Sequence, residues 1–152
     1  MAALNFLGPS SRVVVLSAGL FGDRLAEMAR LRGAQVHVVR TDEEGRVPFG
    51  LLVEAVRAVK PDLFAVVHVD TSTGIMVPLD DVLEMVRAAS PYALTVVDAV
   101  ASAGAMPLKL DGLADYVFTA SQKGLEAPAG LAPSPCPPEE WPTFAPLLGT
   151  GT

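Results

Sequence analysis

Short apolar runs alternate with amphipathic stretches along residues 12–125, and this alternation constrains the fold more than any other feature of the sequence. The apolar runs carry hydrophobic residues at consecutive positions, which is typical of strands that are buried on both faces. The sequence therefore predicts an α/β fold of three layers, in which helices flank a mostly parallel sheet. The predicted strands are 12–17, 35–40, 63–69, 93–97 and 116–119, and the predicted helices are 21–32, 49–59 and 82–89.

The composition indicates a globular chain and argues against several functions. The 152 residues correspond to about one domain, and 51% of them are hydrophobic, which is unlike a disordered chain. No apolar run approaches the ~18–20 residues of a membrane-spanning helix. The net charge is −6 and no basic cluster occurs, so we expect neither nucleic acid nor a membrane as a partner.

The single cysteine, Cys136, excludes an internal disulfide and a cysteine-based zinc site. We accordingly predict no metal site. The residues after Met1 lack the charged and then apolar pattern of a leader segment, so we expect a cytoplasmic protein.

Glycines and polar side chains gather where the predicted strands end, which is the edge at which parallel α/β folds bind ligands. Asp98 directly follows a buried run, so its carboxyl group either caps the next turn or faces a cationic ligand. Lys123 is either a solvated surface amine or an amine that forms a Schiff base. Residues 71–73 carry three hydroxyl groups, which either belong to a hydroxyl-rich turn or form hydrogen bonds to a phenolate or phosphate. Residues 19–22 lack the full G-x-G-x-x-G spacing of a dinucleotide site.

Taken together and in this order, three segments resemble the class V pyridoxal-phosphate aminotransferases, and among them the serine–pyruvate/alanine–glyoxylate group. These segments are HVDTSTG at 68–74, VDAVAS at 97–102 and SQK at 121–123. The intervening pattern is also similar over AGLFGDR at 18–24, DGLAD at 111–115 and APAGL at 127–131. The resemblance covers residues 3–131. It implies that residues 1–131 form part of the pyridoxal-phosphate-binding large domain of fold type I.

The resemblance also implies roles for five residues around pyridoxal 5′-phosphate. Lys123 carries the cofactor on its amine and then moves the substrate's α-proton as general base and acid. Asp98 pairs with the pyridine nitrogen, and Thr71 donates a hydrogen bond to the ring oxygen O3′. Val100 packs on one face of the ring, and Gln122 helps to hold the phosphate.

The implied reaction is transamination between a small amino acid and a 2-oxo acid, carried out by a homodimer. The related cysteine desulfurases usually have His before the reactive lysine, whereas this chain has Gln122. Cys136 lies in the proline-rich segment, away from the motifs that would surround a desulfurase site. The resemblance therefore favours transamination over sulfur chemistry.

The chain also departs from the family pattern. Members of the family are longer, and their phosphate-binding turn and the aromatic residue over the second ring face are expected upstream of Met1. Their substrate-binding arginine comes from a C-terminal domain, whereas residues 132–152 are proline-rich and predicted to be irregular. We therefore expect a fragment with impaired turnover. A non-catalytic remnant or interaction domain of the same fold, and an unrelated nucleotide-binding α/β domain, remain as alternatives.

Overall fold

The computed structural model describes residues 7–108 and 112–134. The strands are β1 (Arg12–Ser17), β2 (Gln35–Arg40), β3 (Leu63–Val67), β4 (Val69–Asp70), β5 (Ile75–Met76), β6 (Leu94–Asp98) and β7 (Tyr116–Phe118). Five of them form a parallel sheet in the order β2-β1-β3-β6-β7, and β4 and β5 pair with each other as a short antiparallel hairpin outside this sheet. The helices are α1 (Leu20–Leu31), α2 (Phe49–Val59) and α3 (Leu79–Ala89).

The sheet separates two apolar cores, because successive side chains of a strand point to opposite faces. On one face, Val14, Leu16 and Phe64 pack in a core that includes the apolar sides of α2 and α3. On the other face, Val13 and Val15 pack with α1. The predicted three-layer α/β class is confirmed, since helices cover both sides of a parallel sheet.

Strand β2 departs from the expectation that every strand is buried on both faces. It lies at one edge of the sheet and pairs only with β1. His37 and Arg40 are exposed along this strand, while Val39 alone is fully buried. An edge strand needs apolar contact on fewer sides, so polar side chains are tolerated there.

The predicted third strand, 63–69, ends two residues early and is followed by a hairpin. Strand β3 stops at Val67, and residues 71–74 form the turn that joins β4 to β5. Gly74 adopts φ +76° in this turn, a conformation that favours glycine. The apolar run continues through Val69, so hydrophobicity alone did not reveal the break.

Helix α3 begins at Leu79, three residues before its predicted start at 82. Asp80 and Asp81 consequently lie inside its first turn, where negative charge is favoured by the helix dipole. Strand β6 ends at Asp98 rather than Val97, so the carboxyl-bearing residue is the last one paired with β3.

Several sequence predictions concern residues that lie outside those described, namely 1–6, 109–111 and 135–152. They include Cys136, most of the predicted tail and the first residue of the 111–115 motif. None of the described helices has the length and apolar character that crossing a bilayer requires. Within residues 7–108 and 112–134, His, Cys, Asp and Glu side chains form no group of three or more that could hold a metal ion.

Candidate functional site

A cavity of about 210 Å³ opens at the carboxyl edge of the sheet, where the connections after four strands meet. The strand order reverses here, because β1 is followed by β2 on one side and by β3 on the other. Ligands of open α/β sheets bind at such a reversal. The cavity is lined by Phe21, Val67, Val69, Thr71, Asp98, Val100, Ala101 and Lys123.

Asp98 ends β6, where its carboxyl group caps the next turn, whereas its second possible role, facing a cationic ligand, stays a prediction. Its Oδ1 accepts a hydrogen bond from the Val100 N–H at 2.9 Å, which caps the turn, and its side chain also lines the cavity. Burial raises the pKa of Asp98 above its ordinary value, and the nearby Asp70 adds to the shift, whereas the Val100 N–H lowers it. Within residues 7–108 and 112–134, Asp98 forms no ion pair.

Lys123 is exposed at the cavity, in the loop that follows β7. The loop is closed at its base by Ser121, whose hydroxyl donates to the Pro128 carbonyl at 2.6 Å. Gly124 lies against the backbone of a second loop, because a Cβ there would be 2.4 Å from the Ala103 carbonyl oxygen. These backbone contacts hold Lys123 at the edge where Asp98 lies.

Thr71 and Val100 also line this cavity, whereas Gln122 does not. Thr71 is in the turn of the β4–β5 hairpin, and its hydroxyl has no hydrogen bond within the described part of the chain. Val100 adds an apolar wall. Gln122 is exposed and lies outside the cavity lining. The structure thus brings together Asp98, Thr71, Val100 and Lys123, and leaves Gln122 apart.

Phe21 is the site residue that the sequence reasoning missed. It lies in the first turn of α1 and contributes an aromatic ring to the cavity. The expectation that an aromatic residue over the second ring face lies upstream of Met1 stays a prediction, and Phe21 adds an aromatic side chain from the described residues. The available signal was its place, because Phe21 lies two residues after Gly19 in the connection that follows β1.

Three larger cavities, of about 580, 390 and 350 Å³, lie elsewhere among the described residues, and none of them combines a carboxyl group with an amine at the strand ends. One of about 580 Å³ lies between β2 and α2. Another, of about 390 Å³, lies beside His68 and the beginning of α3. Burial lowers the pKa of His68, while Asp80 acts in the opposite direction. The smaller cavity remains the candidate site because of the groups that converge there and its place at the strand reversal.

Comparison with known proteins adds an independent line of evidence. A family model described as aminotransferase class-V matches residues 1–152, so the family pattern extends beyond the motifs that end at residue 131. Alanine–glyoxylate aminotransferase 1 of Saccharomyces cerevisiae is 40% identical over 139 residues, which are 88% of this chain and 36% of the yeast protein. A 2-aminoethylphosphonate–pyruvate transaminase of Salmonella paratyphi A is 34% identical over 83% of this chain and 34% of its own length.

Structural comparison gives the same answer. The crystal structure of ureidoglycine–glyoxylate aminotransferase from Bacillus subtilis superposes with a TM-score of 0.83 and 30% sequence identity. The superposition covers 97% of this chain and 37% of the Bacillus chain, so the similarity holds for one part of a longer fold-type I enzyme. Because the family match spans the chain from end to end, this protein belongs to the class V aminotransferases.

Proposed function

We propose that the protein formed by this chain uses pyridoxal 5′-phosphate to transfer an amino group between a small amino acid and a 2-oxo acid. Class V aminotransferases are pyridoxal-phosphate-dependent enzymes. The observation that carries the proposal is that Asp98 and Lys123, from different strand ends, line the same cavity.

The cavity fits the pyridine ring of this cofactor. Asp98 is a half-buried carboxyl group without a counter-ion among the described residues, and a protonated pyridine nitrogen would provide one. Phe21 and Val100 provide apolar walls for a flat ring, and Thr71 offers a hydroxyl without a protein partner. At about 210 Å³ the cavity is smaller than the roughly 300–1,000 Å³ of most ligand pockets, which suits a single ring.

The cofactor, when bound, supplies an electron-accepting ring that stabilises the carbanion left after the substrate's α-proton is removed. Asp98 would keep the pyridine nitrogen protonated, because a nearby negative charge in a cavity of low polarity favours the protonated form. Lys123 would hold the cofactor through its Nζ. The same amine, when free, would remove the substrate's α-proton as general base and return a proton as general acid.

The substrate class is inferred from the names of the relatives, and the expected rate of turnover is inferred from the lack of an arginine in the cavity lining. The two curated relatives are named for glyoxylate and for pyruvate, which are both small 2-oxo acids. No arginine lines the cavity in the described ranges, so a substrate carboxylate has no cationic partner there except Lys123. We therefore expect slow turnover by the 152-residue chain alone.

A homodimer is part of the proposal. Thr71 and Lys123 are exposed at the cavity, and a second copy of the chain would shield them from water. Sedimentation velocity across a concentration series measures this directly. A dimer is the expected species, and a monomer at all concentrations would contradict this part of the proposal.

Spectroscopic titration with pyridoxal phosphate tests the cofactor role of Lys123. The wild-type chain is expected to develop the visible absorption band of a lysine-bound cofactor, and Lys123→Arg is expected to lose it while keeping the positive charge. Lys60→Arg is the matched control, because Lys60 follows α2 and is absent from the cavity lining. Equal bands in both variants, or none in the wild type, would contradict the proposal.

Substrate additions test the transamination step. Adding alanine is expected to bleach the visible band as the cofactor is converted to its amine form, and adding glyoxylate or pyruvate is expected to restore it. A band that forms but does not respond to either addition would favour the alternative, a cofactor-binding domain without activity. The lack of arginine in the cavity lining is the observation that favours this alternative.

A further inference from the structure

Helix α1 begins without a capping side chain of its own. The first residues of a helix have backbone N–H groups with no hydrogen-bond acceptor inside the helix. The side chain of the residue that precedes a helix usually provides such an acceptor. Here that residue is Gly19, which has no side chain and makes no capping hydrogen bond. Within the helix, the first amide to find a partner is that of Asp23, which donates to the Gly19 carbonyl at 3.1 Å.

The β4–β5 hairpin supplies the missing cap from about fifty residues further along the chain. The Phe21 and Gly22 N–H groups donate to Asp70 Oδ2 at 2.9 and 3.2 Å. The Leu20 N–H donates to Ser72 Oγ at 2.9 Å. The Ser72 hydroxyl in turn donates to Asp70 Oδ1 at 2.6 Å, so one acid and one hydroxyl satisfy three helix amides.

The junction between the hairpin and α1 is closely packed. The Asp70 side chain is fully buried. A Cβ added at Gly19 would lie 2.6 Å from Ser72 Oγ and 2.7 Å from Asp70 Cγ, so no larger residue fits without movement. Thr73 Oγ1 also donates to the Ala18 carbonyl at 2.9 Å, which ties the hairpin to the residue before Gly19.

Two walls of the candidate site meet at this junction. Phe21 belongs to the capped turn, and Thr71 lies between the two capping residues, Asp70 and Ser72. Both Phe21 and Thr71 line the cavity, whereas Asp70 does not. A shift of the hairpin relative to α1 would therefore change the distance between an aromatic wall and a hydroxyl of the site.

We propose that Asp70 is a positioning residue: by capping α1 from the hairpin, it fixes Phe21 and Thr71 at the spacing that the site requires. Asp70 suits this position because its two carboxyl oxygens accept four hydrogen bonds, two from α1 and two from Ser72. Asparagine would retain one acceptor oxygen and place an NH₂ group opposite donors. What the two walls hold is the cofactor ring, so this last step rests on the proposed function.

Hydrogen exchange of the full chain without cofactor tests the capping. In Asp70→Asn, the amides of residues 20–22 are expected to exchange about 5- to 30-fold faster, the factor that corresponds to loss of a helix cap. Amides of β1 and β3 are expected to stay protected. Asp42→Asn is the matched control, since Asp42 accepts amide hydrogen bonds in an exposed loop that contributes no residue to the cavity lining.

Pyridoxal-phosphate titration of the same variants tests the positioning. Asp70→Asn is expected to form the visible band with an apparent Kd raised about fivefold or more, since Lys123 is intact. Asp70→Glu is expected to recover part of the affinity. Gly19→Ala leaves all polar groups in place and separates the hairpin from α1, so it should reproduce the Asp70→Asn result. If Asp70→Asn does not fold, Gly19→Ala provides the same test of the positioning.

Each outcome has a separate meaning. Faster exchange confined to residues 20–22 together with weaker cofactor binding supports the inference. Unchanged exchange, a loss of protection across the whole sheet, or unchanged cofactor affinity despite faster local exchange would overturn it. If the wild-type chain shows no band, the proposed function fails, while the exchange experiment still decides whether Asp70 caps α1.

Discussion

At the scale of one residue, the Asp98 carboxyl group is a feature of the candidate site that lowers the stability of the chain when it is charged. Its carboxyl group is partly buried at the end of β6, burial raises its pKa, and the one hydrogen bond described for it comes from the Val100 N–H. A charged carboxyl group in this position costs stability unless a cation faces it. The cost is consistent with a site that becomes favourable only when its ligand is bound.

Asp98→Asn is therefore expected to stabilise the cofactor-free chain at pH 7, by roughly 0.5–2 kcal/mol as for other relieved functional sites. The pKa of Asp98 is higher in the folded than in the unfolded chain. The charged carboxyl group therefore lowers the free energy of unfolding above the folded-state pKa, and this effect disappears as the pH falls below the pKa of Asp98 in the unfolded chain. Urea unfolding at pH 7 and at low pH measures the difference. Asp81→Asn, in the exposed first turn of α3, is the control and should be neutral or slightly destabilising. Destabilisation by Asp98→Asn at pH 7 would contradict this account.

The residues of the site were predictable to the extent that they lie in short motifs. Asp98, Thr71 and Lys123 each lie at or just beyond the end of a strand, in a recognisable segment, and the structure places them around one cavity. Phe21 belongs to a segment that resembles the family pattern, but a single aromatic residue in a helix is equally typical of a core. Asp70 could not be assigned a role, because its partners lie about fifty residues away in the sequence.

At the scale of elements, the loop that carries Lys123 depends on a close approach of two backbones. Gly124 leaves no room for a Cβ, which would lie 2.4 Å from the Ala103 carbonyl oxygen and 2.8 Å from the Ala105 nitrogen. Gly104, on the opposing loop, has φ +81°, and a Cβ at this position would lie 2.5 Å from the Gly124 carbonyl oxygen. The position of Lys123 is therefore set by glycines that carry no chemistry themselves.

Gly124→Ala is expected to displace this loop and to weaken the visible band with pyridoxal phosphate, while far-ultraviolet circular dichroism stays unchanged. Gly50→Ala is the control, because a Cβ at Gly50 in α2 meets no atom within 4 Å. That variant is expected to stabilise the chain by about 0.4–1 kcal/mol and to leave the band intact. An unaltered band in Gly124→Ala would show that the loop position is unimportant.

Helix α3 is held mainly by its apolar side. Leu83 is fully buried in the core between the sheet and the layer of α2 and α3. Leu83→Ala is expected to lower the free energy of unfolding by about 2–5 kcal/mol, through lost burial and the cavity that remains. Leu51→Ala removes the same atoms from a side chain that is 63% exposed, so it should change stability by less than about 0.5 kcal/mol. Equal effects in denaturant unfolding would contradict the assigned packing.

Elements were more predictable than their ends. Apolar period and length located five strands and three helices, because those features follow directly from burial. The β4–β5 hairpin escaped prediction because its apolar residues continue the run of β3. The exposure of β2 escaped because the order of strands, which makes it an edge, depends on contacts between distant parts of the chain.

At the scale of the whole molecule, stability is expected to respond to pH through His68. Burial lowers the pKa of His68 below 6.5, although Asp80 acts in the opposite direction, and its Nδ1 is buried without a partner among the described residues. His68 therefore binds a proton more readily in the unfolded than in the folded state. As a result, the free energy of unfolding rises as the pH increases towards 6.5 and falls as the pH drops below that value. Comparing the free energy of unfolding at pH 5 and pH 7 measures this rise. His68→Gln is expected to flatten the rise, and an unchanged slope in that variant would contradict the assignment.

The described residues retain the architecture of much longer proteins. The chain covers 36% of the yeast relative and 37% of the Bacillus chain, and still superposes on the latter with a TM-score of 0.83. Four strand ends within this third of the family fold supply the acid, the amine, the hydroxyl and the aromatic wall. We therefore propose, at this scale, that one cavity of the chain holds one cofactor ring between Asp98 and Lys123.

Reductive trapping measures directly which amine holds the cofactor, because the chain has only three lysines, Lys60, Lys109 and Lys123. After incubation with pyridoxal phosphate and reduction with borohydride, peptide mapping by mass spectrometry identifies the modified amine. Modification is expected predominantly at Lys123, with a clear loss of that preference in Asp98→Ala. Equal labelling of the three lysines, or labelling of Lys123 that is indifferent to Asp98, would contradict the proposal.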